Sequence, residues 1–459
     1  MNTKSARYEI DMCNGPLFTG ILRFALPLIA TNMLQLAFNA ADMIVLGRFS
    51  GSPTALAAVG ATGSLINLIV NLFIGASTGV NVLVANYRGG GRSQDIADTV
   101  HTAVLMSVVG GIFLLLVGVT FSPIFLTWTG TPENVIGESA LYMRVYFLGM
   151  PFVLVYNFGA AILRAIGDTK RPLLFLSCSG VLNVVMNLFF VTVLKMGVAG
   201  VALATVLSQG LSSVLIIRCL LKSEGAYQLI PSKLRIHKQK LLRILQIGLP
   251  AGIQGSLFSI SNVLFQSSIN SFGSTVMGGN TASGNLEGFI YVAMNSTAQG
   301  ALSFAGQNYG ARKYKRIDQT LCSSLLIAGL GGIVLGYIIY FLGPHLLGLY
   351  TGNQEEIAYG LNRMQIIVTT YFICGLMDSF SYTIRGMGLS MAPMFISLTG
   401  ACLLRVVWIY TVFAAYRTPT VLYLCYPISW SLTTLAYLVF YLIVRKRRFK
   451  EPEKLLVET

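Results

Sequence analysis

The chain is a succession of apolar runs, each close to 20 residues long and separated from the next by a short polar segment. About 20 apolar residues of α-helix cross the hydrocarbon core of a bilayer, which is about 30 Å thick. Only 11% of the 459 residues are charged, against about 25% in soluble domains. The sequence therefore predicts an all-α polytopic membrane protein with twelve transmembrane helices, at 17–46, 56–86, 97–121, 136–163, 172–194, 197–221, 241–272, 281–306, 317–342, 357–383, 393–415 and 421–444.

The connections between these spans differ in charge. Lys and Arg collect in every second connection and in both tails, as in Arg88 and Arg92 after span 2 and at 445–450 after span 12. Because cytoplasmic loops are enriched in Lys and Arg, both termini are predicted to be cytoplasmic. The net charge of +15 is explained by these basic cytoplasmic connections, so no nucleic-acid partner is expected. The N-terminal residues lack the pattern of a cleaved secretory signal, and span 1 is expected to stay in the mature protein.

Four pairs of segments show that the chain contains two related halves. RFALP at 23–27 matches QIGLP at 246–250, ANYRGGGR at 85–92 matches GQNYGARK at 306–313, SPIFLTWTG at 122–130 matches GPHLLGLYTG at 343–352, and ILRAIGDTKRP at 162–172 matches TIRGMGLSMAP at 383–393. Members of each pair lie about 220 residues apart, a fixed period that indicates an internal repeat. We predict two six-helix bundles related by a parallel pseudo-two-fold repeat. They occupy residues 1–222 and 241–459, the second with a basic cytoplasmic tail, and a cytoplasmic linker at 223–240 joins them.

Motifs of catalysis are not found in the sequence. There is no GxxxxGK[ST] phosphate-binding loop, the three histidines are dispersed, and no Ser/His/Asp arrangement follows from spacing. The seven cysteines form no CxxC pair, so a zinc site is not indicated. We therefore expect no enzyme, no cofactor and no metal.

At the paired segments the chain resembles the multidrug and toxic compound extrusion (MATE) family of bacterial type. The resemblance rests on Leu-Pro in the first span of each half, on the Asn-Tyr-Gly stretch in GQNYGARK, and on the order and duplication of the segments. It implies a secondary active antiporter that exports amphipathic, often cationic, drugs or toxic compounds in exchange for H⁺ or Na⁺ by alternating access. The alternative is a lipid-linked oligosaccharide or polysaccharide flippase of the same superfamily. We expect a monomer in the cell membrane, with small amphipathic substrates and membrane lipids as its partners.

A carboxylate inside a span is energetically costly, so it marks a functional site by default. Asp42 lies in span 1 and shares one helix face with Asn32, Gln35 and Asn39, because their spacings are three and four residues. That polar face is expected to point into the bundle or a water-filled cavity. It is either a functional site or a structural seam of hydrogen bonds between helices.

The resemblance extends this site to neighbouring spans. Several MATE members have, at the position of Asn187 in span 5, an aspartate that helps the span 1 acid to bind the coupling cation. Here the residue is Asn, which offers a carbonyl oxygen without charge. The predicted coupling-ion residues of the first half are Asp42, Asn157, Asn183 and Asn187, and the predicted substrate-binding residues are Gln35 and Asn39.

The second half offers further polar side chains within spans. Glu287 in span 8 is a candidate for both the coupling ion and the substrate. Asp378 in span 10 is either a second coupling carboxylate or a partner of the buried base Arg405. The predicted substrate-binding residues of this half are Asn262, Gln266, Glu287, Tyr291 and Asn295.

Overall fold

The computed structural model describes residues 8–449, with the side chain of Ser64 excepted. Every regular element within that range is a helix. The chain ends at 1–7 and 450–459, for which a cytoplasmic location is predicted, lie outside the described residues.

Six spans make up the first half of the sequence. They are span 1 (Leu17–Phe49), span 2 (Ala55–Gly89), span 3 (Ser93–Trp128), span 4 (Glu133–Leu148 and Met150–Ala165), span 5 (Lys170–Leu188, continued by the π-helical turn Phe189–Val193) and span 6 (Gly197–Lys222). The predicted ranges agree with these bounds to within three residues, except that span 3 begins four residues earlier and ends seven residues later than predicted.

Six more spans follow a connection that contains the 3₁₀ turn Pro231–Lys233. They are span 7 (Lys238–Asn270), span 8 (Ser274–Gly310), span 9 (Tyr314–Phe341, followed by the short helix Gly343–Gly348), span 10 (Gln354–Ile367 and Tyr371–Gly386), span 11 (Met391–Ser397, Leu398–Leu403, Leu404–Trp408 and Ile409–Phe413) and span 12 (Pro419–Arg448). In span 11 the second and fourth segments are π-helical.

The helices account for twelve membrane crossings. Nine described helices are long and apolar enough to cross a bilayer, and two more crossings are bent pairs, span 4 with a bend of 48° and span 10 with a bend of 45°. Span 8, with 37 residues, is also long enough, but polar residues such as Asn280 and Glu287 lower its hydropathy. The prediction of twelve transmembrane helices is therefore confirmed.

The two bends were not predicted, and each has a local cause. In span 4, Pro151 has no N–H to donate to the Phe147 carbonyl, so the helix breaks at Gly149. In span 10, the hydroxyl of Thr369 donates to the Gln365 carbonyl at 2.5 Å, and the next threonine repeats the pattern at 2.6 Å. Such bonds compete with the helical backbone ladder and bend helices.

Contacts divide the chain into two compact units. Among the described residues, the first comprises Arg23–Ser256 with 8–11, and the second comprises Met12–Leu22 with 257–449. The division falls inside span 7. Each unit has its own buried core, in the first around Leu46, Leu114, Leu126, Phe147 and Leu154, and in the second around Ile290, Ile317, Met364, Ile367 and Ile384.

Within the first unit, the connection between spans 6 and 7 packs on the start of span 3. The backbone N–H of Ile230 donates to His101 Nε2 at 3.1 Å, and that of His237 donates to Thr102 Oγ1 at 3.0 Å. These bonds hold the connection along one end of the unit. The Lys and Arg pattern predicts that this end faces the cytoplasm.

Candidate functional site

In the first unit, a chain of hydrogen bonds joins spans 1, 5 and 6 at Asp42. The side-chain amide of Asn187 donates to Asp42 Oδ1 and also to Asn183 Oδ1, the latter at 3.2 Å. The amide of Asn183 donates in turn to Thr205 Oγ1 at 3.4 Å. Asp42 is half-buried, and both asparagines are at most 5% exposed. We call Asp42, Asn183, Asn187 and Thr205 the Asp42 cluster.

The orientation of the Asn187 amide follows from chemistry. Its nitrogen faces the Asp42 carboxylate, because the opposite orientation would set two acceptors against each other. Its carbonyl oxygen is consequently turned away, and that buried oxygen has no hydrogen-bond partner among the described residues. A buried acceptor without a donor is unusual in proteins and calls for an explanation. A half-buried carboxylate held by a neutral amide is a suitable environment for a proton or a small hard cation.

Close packing of spans 1 and 5 brings the cluster together. Gly180, two turns before Asn187, lies against the ring of Phe38 from span 1, and a methyl group there would overlap the ring. Immediately after Asn187 the helix widens into the π-helical turn Phe189–Val193. Such turns are frequent at functional sites.

The other predicted residues of the first half are less connected. Asn157 is half-buried and donates to the Val153 carbonyl of its own helix at 2.8 Å. Gln35 and Asn39 are exposed, and neither makes a hydrogen bond to another described residue. The structure thus joins Asp42, Asn183 and Asn187, and it leaves the remaining three outside their hydrogen-bond chain.

In the second unit, Glu287 forms a buried ion pair with Arg363 of span 10. Arg363 Nε lies 2.7 Å from one carboxylate oxygen of Glu287 and Nη2 lies 2.8 Å from the other. Both side chains are less than a tenth exposed. Arg363 also donates to Asn280, whose amide donates to Gln266 Oε1 at 3.2 Å. Predicted Glu287 and Gln266 are therefore linked, through two residues that the sequence analysis did not assign.

A second buried arginine, Arg405 of span 11, lies in the same unit, and no carboxylate among residues 8–449 forms an ion pair with it. Its Cζ is 4.3 Å from the centre of the Tyr426 ring. Its Nη1 donates to Asn262 Oδ1 at 3.5 Å and its Nε donates to Ser429 Oγ at 3.4 Å. Asn262, predicted to bind substrate, is exposed.

Of the remaining predicted residues, Tyr291 and Asn295 are joined to each other and Asp378 stands apart from them. The amide of Asn295 donates to Tyr382 Oη at 3.0 Å and to Tyr291 Oη at 3.4 Å. Asp378 is half-buried and, within residues 8–449, makes neither a hydrogen bond nor an ion pair. Asp378 is not paired with Arg405, so the predicted alternative of an ion pair between them is not found.

Sequence reasoning missed Thr205, Asn280 and Arg363 as parts of these clusters. Arg363 did carry a signal, because an arginine within a span must find a partner for its charge. Glu287 and Asp378 were the two acids that the sequence analysis placed within spans of the same half. Thr205 and Asn280 gave no comparable signal, since single Thr and Asn residues are common at helix–helix contacts in membranes.

The fold and these buried polar clusters define a polytopic membrane protein of the transporter class, with an internal repeat. The MatE family model matches residues 27–189 and 250–411, once in each half, and so covers more than half of the chain. The chain belongs to the MATE family, whose members are membrane transporters. The two matches also begin at Pro27 and Pro250, in agreement with the repeat found in the sequence.

Relatives and solved structures agree with this assignment. The probable multidrug resistance protein YpnP of Bacillus subtilis is 25% identical over 86% of this chain and 88% of its own. YoeA of the same organism, also a probable multidrug resistance protein, is 28% identical over 82% of each chain. A MATE transporter of the MOP superfamily in its outward-facing conformation is similar with a TM-score of 0.88 and 22% identity, covering 98% of this chain and 100% of the other. The MATE transporter VcmN of Vibrio cholerae is similar with a TM-score of 0.87 and 17% identity, covering 94% of this chain and 98% of the other. The chain is thus a multi-pass protein of the cell membrane.

Proposed function

We propose that this protein is a multidrug exporter, a secondary active antiporter that exchanges amphipathic compounds for H⁺ or Na⁺ by alternating access. Family membership and the names of the relatives support the export of drugs. Coupling to an ion gradient is supported by a polar site inside the membrane-spanning helices, and the Asp42 cluster is that site.

The observation that carries the proposal is the oxygen arrangement at Asp42. The half-buried carboxylate accepts one bond, from the Asn187 amide nitrogen. A cation bound at Asp42 would neutralise the only charge of the cluster. Rotation of the Asn187 amide would then bring its oxygen, which has no donor in the part of the chain that the structure describes, to the cation. Because hard cations prefer oxygen ligands, Na⁺ fits as well as H⁺.

Coupling requires that the ion and the substrate favour different conformations. A ligand shifts a conformational equilibrium only by the difference between its affinities for the two states. We propose that the cation at Asp42 favours one state of spans 1 and 5, and that substrate release follows its binding. Asn157 of span 4 and the exposed Gln35 and Asn39 are proposed to line the path of ion or substrate in this half.

Glu287 is proposed to act differently from Asp42. Both of its oxygens are bound by Arg363, so its charge is already neutralised. A coupling role for Glu287 would need this ion pair to open during transport. The proposed order of importance for coupling is therefore Asp42 first, then Glu287, with the unpaired Asp378 third. Gln266, Tyr291 and Asn295 stay proposed substrate contacts.

The flippase alternative predicts several free basic side chains inside the spans for a pyrophosphate-linked lipid. Arg363 is neutralised by Glu287, and Arg144 is on the exposed side of span 4. Only Arg405 then remains among the three arginines considered for that role, which favours the exporter.

The orientation is part of the proposal. Arg445, Lys446, Arg447 and Arg448 end span 12, and such clusters mark the cytoplasmic side. We propose cytoplasmic termini and a monomer as the working unit, because each half carries complete clusters made from its own spans.

Dye transport in everted membrane vesicles tests the proposal. H⁺ and Na⁺ gradients are imposed separately, with ethidium as a cationic dye and rhodamine B as a zwitterionic one. We expect at least one gradient to drive dye into the vesicles, and Asp42→Asn to abolish that uptake while Glu133→Gln, in the first turn of span 4, leaves it unchanged. Uptake that neither gradient drives would overturn the exporter proposal, and altered glycan-lipid synthesis on deletion would then favour the flippase.

A further inference from the structure

Arg405 is a buried charge that forms no ion pair with any residue of the described part of the chain. The residue is only 3% exposed, and no carboxylate of residues 8–449 forms an ion pair with its guanidinium. Arg363, equally buried, has Glu287. Burying a charge without a partner is strongly unfavourable, and within a membrane the residues that do so mark substrate or ion pathways.

The contacts of Arg405 leave most of its hydrogen-bonding capacity unused. The guanidinium group has five N–H donors. Two of them make long bonds, 3.4 Å to Ser429 and 3.5 Å to Asn262, and the group lies 4.3 Å from the Tyr426 ring centre. All three partners are neutral. Charge-assisted bonds of arginine are usually shorter, about 2.7–2.9 Å, so these contacts hold the guanidinium in place without satisfying it.

The backbone around Arg405 departs from a regular α-helix on both sides of the residue. Arg405 lies on a five-residue α-helical segment, Leu404–Trp408, with the π-helical turn Leu398–Leu403 before it and Ile409–Phe413 after it. π-helical insertions are rare and occur frequently at functional sites. This observation is independent of the charge argument, and it points to the same residue.

By the internal repeat, Arg405 corresponds in sequence to a position of span 5 beside the Asp42 cluster residue Asn183. The offset between Pro172 and Pro393 aligns Arg405 with Val184, the residue after Asn183. The offset between Pro27 and Pro250 aligns its partner Asn262 with Asn39. The π-helical turns Phe189–Val193 and Ile409–Phe413 also correspond. The same pair of spans thus carries a carboxylate in one half and a guanidinium in the other.

From this arrangement we propose that Arg405, Asn262 and Tyr426 form an anion subsite for the substrate. A carboxylate of an amphipathic substrate would receive charge-assisted bonds from the guanidinium, a bond from the exposed Asn262 amide, and ring contact at Tyr426. The inference rests on the proposed export function and specifies its substrate class, which is amphipathic compounds with an acidic group, including zwitterions. Planar aromatic acids fit best, because Phe265 and Trp430 lie with their ring centres 4.7 and 5.4 Å from that of Tyr426.

Equilibrium binding of a matched dye pair tests the subsite. Rhodamine B has a free carboxylate, and its ethyl ester has the same ring system without that charge. Binding is measured by fluorescence polarisation to the full-length protein in phosphatidylcholine nanodiscs, with no ion gradient and no anionic lipid to compete. The wild type is expected to bind rhodamine B with an affinity about tenfold or more above that for the ester, because charge-assisted hydrogen bonds contribute at least that much.

Variants then assign the preference to the subsite. Arg405→Gln should weaken rhodamine B binding about tenfold or more and leave ester binding unchanged. Asn262→Asp should do the same, because the new carboxylate pairs with Arg405 and competes with the ligand. Arg417→Gln changes an exposed arginine and should alter neither affinity.

A structural role for Arg405 gives a different result. If Arg405 only held spans together, Arg405→Gln would lower the thermal unfolding midpoint and weaken both dyes alike, which would overturn the proposal. So would equal affinities of the wild type for the two dyes, or no saturable binding of rhodamine B. Because no gradient is present, loss of gradient-driven transport would contradict the proposed antiport without affecting this test. Phosphatidylglycerol vesicles and an aromatic acid are then added separately as competitors of rhodamine B. If the vesicles displace the dye as well as the acid does, the subsite belongs to lipid and the substrate role is contradicted.

Discussion

Spans 5 and 11 hold corresponding places in the two repeats, and their charged neighbourhoods are opposite. In the first half, the amide of Asn187 of span 5 donates to the carboxylate of Asp42 and to Asn183. In the second half, span 11 presents the guanidinium of Arg405 to an amide, a hydroxyl and a tyrosine ring. Both spans contain a π-helical turn just beyond these residues. The repeat has retained the backbone irregularity while the charge changed sign.

One repeated fold can thus serve two ligands of opposite charge. A carboxylate with amide partners attracts a cation, whereas a guanidinium without an acid attracts an anion. The Glu287–Arg363 pair provides a third case, because its two charges satisfy each other. The charges of that pair are already neutralised, so we propose that Asp42 binds the coupling ion and that Arg405 binds the acidic group of the substrate.

The largest effect is expected from removing the carboxylate of the first half. Asp42→Asn preserves shape and still accepts a hydrogen bond from Asn187, but it has no charge to bind a cation. Gradient-driven dye uptake into everted vesicles should fall to the level of vesicles without the protein. Asp378→Asn, the matched change in the second half, should retain most of the uptake. If Asp378→Asn abolished uptake and Asp42→Asn did not, coupling would belong to the second half.

The next effect separates the two arginines of the second half. Arg363→Gln leaves Glu287 buried and unpaired, which should destabilise the protein by about 3–5 kcal/mol. Arg405→Gln removes a charge that has no acid and should not lower stability. Thermal unfolding of the detergent-solubilised protein measures both. A lower midpoint for Arg405→Gln than for Arg363→Gln would show that the two arginines have been assigned the wrong way round.

Much of the fold could be predicted from the sequence, because each apolar run is long enough to be a span and the charge of each connection tests the count. Asp42 and Asn187 could also be placed together, since helical spacing puts Asn39 and Asp42 on one face and the family resemblance adds span 5. The bend at Thr369 and the π-helical turns of span 11 depend on local hydrogen bonds, which leave no pattern in hydropathy. The Glu287–Arg363 pair depends on how spans 8 and 10 pack, and sequence spacing does not contain that information.

A smaller effect is expected from separating spans 1 and 5. In Gly180→Ala the added methyl group overlaps the Phe38 ring, and overpacking of this kind costs about 1–3 kcal/mol. The Asp42 to Asn187 contact should lengthen, so dye uptake should fall by part of its value together with the unfolding midpoint. Gly210→Ala is the control, because its methyl group would meet Phe152 at an ordinary 3.9 Å. Equal behaviour of the two variants would contradict the close packing of spans 1 and 5.

The smallest effect concerns the outer member of the Asp42 cluster. Thr205→Val keeps the shape of the side chain and removes the hydroxyl that accepts from Asn183 at 3.4 Å. A neutral hydrogen bond contributes about 1 kcal/mol, so the concentration of coupling cation needed for half-maximal uptake should rise by less than about tenfold. Thr192→Val removes a hydroxyl that bonds only to the Leu188 carbonyl and should leave that concentration unchanged. A complete loss of uptake in Thr205→Val would mean that Thr205 contacts the cation directly.

Reconstituted transport of the matched dyes tests the opposite polarity of the two halves most directly. Gradient-driven uptake of rhodamine B and of its ethyl ester is measured in proteoliposomes containing the wild type, Asp42→Asn or Arg405→Gln. We predict that Asp42→Asn loses uptake of both dyes, because the ion is no longer bound, and that Arg405→Gln loses uptake of rhodamine B while it still transports the ester. Equal losses for both dyes in Arg405→Gln, or uptake that depends on the dye in Asp42→Asn, would contradict the assignment of ion and substrate to separate halves.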